Sequence, residues 1–352
     1  MLKENSHKNN FDALRLFASI IVILAHCYPL RGLDTKLEPL YYITHCNNFG
    51  HLGVSIFLSI SGYLICNSLV INSNFIFFYK RLLRIIPPLI LVVFLTIFLL
   101  GPVFTSFSLK DYFTTSETYH YFLNISLFRM EYRLPGVFLN LPYKGIINGS
   151  LWTLAYEFFL YVILYMLFKL TKHRIHFIVI STLLLLLIYF LFNVKISANQ
   201  YCVPFLNLSI ERLLDLSIYF FSGACFYLFT HKLNQKNTSI LFLFSLALFV
   251  ISILTKNENN SFLFYFIVPA FTFSIALNRK INLQALTAFG DFSYGIYIYA
   301  FPLQQILVLV TNNKISVLAL FGLATILSYI FGAFSWYLVE QKSMKLKNLF
   351  SK

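Results

Sequence analysis

The sequence predicts an all-α integral membrane protein: one domain over residues 1–352, built as a bundle of about ten transmembrane helices with both termini in the cytoplasm. Three observations predict it. Hydrophobic residues make up 59% of the chain and charged residues only 11%, a balance too apolar for a soluble domain of 352 residues. The apolar residues fall into segments of the roughly 17 to 25 residues that cross a bilayer. Lysine and arginine gather in alternate short connections, the pattern of cytoplasmic loops.

The spans are expected at about 11–30, 50–71, 76–100, 149–169, 175–193, 208–230, 239–255, 262–278, 286–311 and 315–339. With the N-terminus inside, Lys3 and Lys8 precede the first span, and Lys80, Arg81 and Arg84 lie where the third begins. Lys169, Lys172 and Arg174 follow the fourth, Lys232 and Lys236 the sixth, and Arg279 and Lys280 the eighth. Lys342, Lys345, Lys347 and Lys352 follow the tenth. Outer connections keep fewer cations over longer stretches, and Asp34, Glu38, Asp111, Glu117, Glu131 and Glu258 partly offset them. One long outer interruption, about 101–148, holds many aromatic residues among Arg129, Arg133 and Lys144, and Pro135 and Pro142 prevent a continuous helix there. That composition suits an interfacial cap over a sugar-binding cleft, and equally an aromatic belt at the membrane surface.

The net charge of +14 is spread over short juxtamembrane clusters rather than one continuous stripe. Anionic lipid headgroups are therefore the expected partner, not nucleic acid. The first apolar stretch carries Arg15 and His26 and lacks a small-residue cleavage pattern, so it is expected to stay as a signal anchor. The five cysteines show no CxxC spacing, and the dispersed His45, His51 and His120 give no metal site.

Arg15 and His26 are the most informative residues. Eleven steps of about 100° return to within roughly 20° of the start, so both side chains share one face, about 16 Å apart along the axis. Ionisable groups inside a membrane helix mark a functional site by default. One face thus offers a cation near one membrane surface and an imidazole near the other. Glu211, Arg212, Asp215, Asp291 and Glu340 are further intramembrane charges, with Glu211 and Asp215 on one face beside Arg212, either as acceptor contacts or as a structural ion pair.

Local patterns then combine. Gly50-His51-Leu52-Gly53-Val54 opens the second span, which continues to Ser59-Ile60-Ser61-Gly62-Tyr63; Phe78-Tyr79-Lys80-Arg81-Leu82-Leu83-Arg84 and Pro87-Pro88 lie in the third. Asn148-Gly149-Ser150-Leu151-Trp152 leads to Glu157 in the fourth, and Gly290-Asp291-Phe292-Ser293-Tyr294 opens the ninth. In this order, from residue 11 to about 340, they resemble the membrane-bound acyltransferase 3 family, whose members move acyl groups, commonly acetyl, onto cell-envelope carbohydrate. The resemblance implies a ten-span fold and an acyl-CoA donor taken from the cytoplasm. It places the family's Arg-x10-His pair on Arg15 and His26, and its Arg-x-x-Arg element on Arg81 and Arg84. Many members carry a further histidine where this chain has Ala300, which cannot exchange a proton. No fused extracytoplasmic esterase-like domain is expected.

The chemistry can be set out on the residues themselves. Acyl transfer from a thioester to a sugar hydroxyl needs a base, and histidine titrates near neutral pH, which suits His26. Glu157, about two turns into the fourth span, is expected at similar depth and could hold the imidazole tautomer. Arg81 and Arg84, three residues apart on one face, suit the phosphates of CoA. The pantetheine arm would then thread from Arg15 toward His26. Trp152 and Tyr294 are secondary candidates for acceptor contact or anchoring. Ser61 belongs with them, but Ser61-Gly62 is read as a close helix approach rather than a nucleophile. The expected activity is O-acetyl transfer from cytoplasmic acetyl-CoA, a co-substrate rather than a bound cofactor, to an extracytoplasmic glycan or lipid-linked glycan at a bacterial inner membrane, without a metal. The alternative is a carrier or flippase for lipid-linked sugars, which shares the buried charges but needs no CoA site; a glycan polymerase would be indifferent to acyl-CoA.

Overall fold

The computed structural model of the chain describes residues 9–71, 74–171, 177–178, 180–182, 184–185, 188, 202–203, 208–230 and 233–346. Among them, nine helices are long and apolar enough to cross a membrane. These are α1 (Phe11–Leu30), α2 (Phe49–Ile71), α3 (Ile76–Phe104), α4 (Trp152–Leu170), α5 (Ile210–Phe229), α6 (Gln235–Thr255), α7 (Glu258–Ala276), α8 (Ser293–Val310) and α9 (Val317–Lys345). Each matches an expected span, and the remaining expectation, 175–193, lies largely outside the described residues. The ninth span starts at Ser293 rather than 286 because a short 3-10 turn, Gln284–Thr287, intervenes. The described β structure is one antiparallel pairing of Cys202–Val203 with Leu208–Ser209.

Local chemistry sets the ends of these helices. Ser209, Asn234 and Ser316 accept hydrogen bonds from the backbone N–H of Arg212, Asn237 and Ala319, capping α5, α6 and α9. Within α3, Pro87 and Pro88 each remove a backbone donor, and a π-helical turn follows at Thr96–Leu100. Glu38 is buried and caps twice, Oε2 accepting from Tyr41 N–H at 3.0 Å and Oε1 from Phe49 N–H at 3.1 Å at the start of α2.

Small residues decide the close approaches. α1 packs against α2, α8 and α9, and α2 in turn against α5. A Cβ on Gly53 would come within 2.7 Å of the Ala18 carbonyl oxygen on α1. Gly62 and Gly223 meet reciprocally, a Cβ on either running into backbone of the partner helix at Phe220 or Ser59. The Ser61-Gly62 pair therefore marks a close helix approach, as expected of small residues in membrane helices.

The segment between α3 and α4 folds over the His26 end of the bundle. Asn148 Nδ2 donates to Ile298 O at 2.8 Å, and Gln305 Nε2 to Tyr143 O and Ile146 O at 2.9 and 2.8 Å, which ties the segment to α8. Its aromatic residues divide: Tyr112 and Tyr121 are core, whereas Tyr132 and Tyr143 line a cavity beneath the segment.

Candidate active site

Two cavities run into the bundle and share part of their lining. The first, the arginine cavity, gathers Arg15 from α1, Arg81 and Arg84 from α3, Ser61 from α2, Glu157 and Tyr161 from α4, and Tyr294 from α8. The second, the histidine cavity, is larger and is lined by His26, Glu38, His51, Tyr132, Tyr143, Trp152, Arg212 and Asp215. Val54 and Tyr297 line both. The shared face of Arg15 and His26 thus runs from one cavity to the other.

Two arginines of this cavity are held from behind by a carboxylate that does not line it, Asp291, which instead lines a smaller cavity with Asp12, Trp336 and Glu340 on the far side of Arg84. Asp291 Oδ2 lies 2.5 Å from Arg84 Nη2 and 3.6 Å from Arg15 Nη1. Asp291 Oδ1 accepts from Ser293 Oγ at 2.5 Å and from Ser293 N–H at 3.3 Å, so the start of α8 fixes its orientation. Asp12 approaches Arg15 from one turn before it, at 3.4 Å. Arg81 forms no ion pair among the described residues, and its buried Nε has no hydrogen-bond partner. The arginines three residues apart are therefore unequal: Arg84 is ion-paired, whereas Arg81 has no carboxylate partner among the described residues.

Glu157 belongs to this cavity and not to His26. Its Oε1 accepts from Ser61 Oγ at 2.5 Å and from the Tyr161 hydroxyl. The reason lies in azimuth: Trp152 lines the histidine cavity, and five residues further on a helix turns by about 140°. Thr153, Glu157 and Tyr161, spaced by four, share the face toward the arginines. The expected Glu157–His26 pairing is corrected accordingly. Tyr294 is fixed by donating to Ile85 O at 3.0 Å.

In the histidine cavity, the His26 ring meets Phe301 edge-on at 5.2 Å, and its Nδ1 is buried with no hydrogen-bond partner. A second imidazole is held by a carboxylate: His51 Nε2 lies 2.8 Å from Asp215 Oδ2, and Asp215 Oδ1 accepts from Tyr265 OH at 2.7 Å. Asp215 is thus partnered by His51 and Tyr265, while Arg212 lies 5.0 Å over the Trp152 ring, a cation–π contact. No ion pair joins Asp215 or Glu211 to Arg212 among the described residues. Glu38, outside the spans, has its carboxyl pushed above the usual carboxylate range by burial, against the opposing pull of the Tyr41 and Phe49 N–H groups. Ala300, at the family's histidine position, is buried against Ile23 and Ala324, so this place is filled by packing.

Sequence reasoning brought together Arg15, Arg81 and Arg84, and the structure adds Ser61, Glu157 and Tyr294 to their cavity while placing His26 and Trp152 in the other. It missed the His51–Asp215 pair, whose members stand 164 positions apart with no local signal. It also missed Tyr161, which the four-residue step from Glu157 could have suggested.

Comparison with known proteins completes the picture. The chain is 32% identical over 338 residues to an "O-acetyl transferase" of Shigella phage Sf6, covering 96% of each chain. It is 40% identical over 86 residues, 24% of this chain and 23% of the other, to "Nodulation protein 10" of Rhizobium leguminosarum bv. viciae. No solved structure matches. The family model described as an acyltransferase domain matches residues 8–336, nearly all of the bundle that carries both cavities, and the chain belongs to this membrane acyltransferase family.

Proposed function

We propose that the chain is an O-acetyltransferase that moves acetyl from cytoplasmic acetyl-CoA to a hydroxyl of a glycan or lipid-linked glycan on the outer side of a bacterial inner membrane. The observation that carries the reading is the lining shared at Val54 and Tyr297 by two cavities, one with an Arg81 that has no ion pair among the described residues and the other with an unpartnered imidazole nitrogen on His26. Arg81, with Arg15 and Arg84 beside it, suits the phosphates of CoA, and the pantetheine arm spans the distance along α1. The phage relative bears the name of an O-acetyl transferase, which supports the acyl group and the bond formed.

In this reading the acceptor hydroxyl loses its proton to His26 as its oxygen bonds to the thioester carbonyl carbon. The carbon–sulfur bond then breaks, CoA leaves as the thiolate, and the proton on His26 passes to that sulfur. Glu157, fixed by Ser61 and Tyr161, faces the donor and balances the arginines. Trp152 with Arg212 above it offers the acceptor a sugar-stacking surface, and His51 positions an acceptor hydroxyl. One observation favours a second reading of the base: His51, unlike His26, has a carboxylate that would hold its tautomer and stabilise its imidazolium.

The test is transfer of radiolabelled acetyl from acetyl-CoA to cell-envelope glycan by membranes containing the protein, beside His26→Ala membranes of matched abundance. Label incorporated by the parent and lost in the variant supports the reading. No label with any acyl donor or acceptor favours a carrier for lipid-linked sugars.

A further inference from the structure

The two cavities share a rigid stretch of lining. Val54, on α2, and Tyr297, on α8, are 8% and 7% exposed and are the residues common to both linings. Tyr297 cannot swing aside freely. Its hydroxyl lies 2.7 Å from Thr153 Oγ1 and donates to Ser150 O at 3.0 Å, so both bonds tether the ring to the start of α4 and the residues just before it. Phe57 meets its ring edge-on at 5.6 Å from the α2 side. Val54 is equally constrained, because its neighbour Gly53 brings α2 against the Ala18 and Val22 positions of α1.

Resting on the acyl-transfer reading, we infer that the Val54–Tyr297 constriction selects the length of the acyl group. Donor phosphates held at Arg81 leave the thioester end of the pantetheine arm pointing at this place, and His26 lies beyond it. The acyl carbon must therefore enter the constriction, and every further methylene must fit between a β-branched side chain and a tethered ring. Acetyl presents one methyl there. A butyryl chain presents two more carbons to walls held by three helices, and close-packed interiors give way poorly to added volume. One methylene in such a pocket is worth about tenfold or more in rate.

The experiment measures the ratio of acetyl to butyryl transfer from the two labelled CoA thioesters to one glycan acceptor, within a single membrane preparation, so protein abundance cancels. The parent is expected to favour acetyl by more than about tenfold. Val54→Ala, which removes two methyl groups from the wall, is expected to shift the ratio toward butyryl by about tenfold, and Val54→Leu to shift it the other way. Tyr297→Phe, which frees the ring from Thr153 and Ser150, is expected to move the ratio in the same direction as Val54→Ala, and it serves if the alanine variant does not fold. A parent that uses both donors equally, or variants that keep the parent's ratio, overturn the selector while leaving acyl transfer standing. A parent that transfers neither group overturns the acyl-transfer reading and the selector with it.

Discussion

His51 Nε2 lies 2.8 Å from Asp215 Oδ2, joining the first turn of α2 to α5 across 164 residues of chain. The pair faces the same cavity as His26, so its role can be separated from that of His26 by kinetics.

If His51 positions the acceptor, Asp215→Asn raises the acceptor KM with little change in kcat, whereas His26→Ala removes kcat. Loss of an orienting carboxylate from a true general base lowers kcat by about 10⁴. Steady-state kinetics of both variants with acceptor varied decides between the two roles, since a kcat loss of that size in Asp215→Asn assigns the base to His51.

Arg81 and Arg84 are expected to fail differently. Arg84→Ala takes the nearer cation from the buried Asp291 carboxylate and leaves it only Arg15 at 3.6 Å, and breaking a buried pair costs up to about 3–5 kcal/mol. Arg81 has no carboxylate partner among the described residues, so Arg81→Ala should leave thermal unfolding in detergent nearly unchanged while raising KM for acyl-CoA. Equal loss of stability in the two variants would contradict the assignment.

Glu38 supplies a pH signature. Its carboxyl titrates above the ordinary 4.5 in the folded protein because it is buried. The folded state therefore binds more protons than the unfolded state between 4.5 and the raised value, and stability attributable to Glu38 falls as pH rises through that window. Unfolding measured from pH 4 upward should show this decline in the parent, and Glu38→Gln should lack it.

The α2–α5 contact is expected to be intolerant of a single methyl group. Gly62→Ala directs a Cβ into the Phe220 carbonyl, which is backbone and cannot rotate away. Overpacking of this kind costs about 1–3 kcal/mol. Gly322→Ala meets nothing within 4 Å and serves as the control. Detergent-solubilised yield and unfolding temperature should drop for the first and hold for the second.

Much of the fold was legible because the decisive information is local. A run of apolar residues bounded by cations declares a span whatever surrounds it, and the spacing of Arg15 to His26 fixes a shared face. Partners across helices are not local. Glu157 was assigned to His26 on depth, but depth leaves azimuth open, and the turn from Trp152 to Glu157 carries the carboxylate to the other cavity. Asp215 was read with its chain neighbour Arg212, yet tertiary packing gives it to His51 and Tyr265. The inequality of Arg81 and Arg84 likewise depends on Asp291, more than 200 positions away.

The central claim is that donor and acceptor are served from opposite sides of one membrane through two cavities that share Val54 and Tyr297 in their linings. Sealed inverted vesicles test it directly, with radiolabelled acetyl-CoA supplied outside, at the cytoplasmic face, and glycan acceptor enclosed within. The account predicts label on the enclosed glycan while intact acetyl-CoA stays outside, with the label lost in His26→Ala and the donor dependence weakened in Arg81→Ala. Label that appears only when donor and acceptor share one side of the membrane would contradict it.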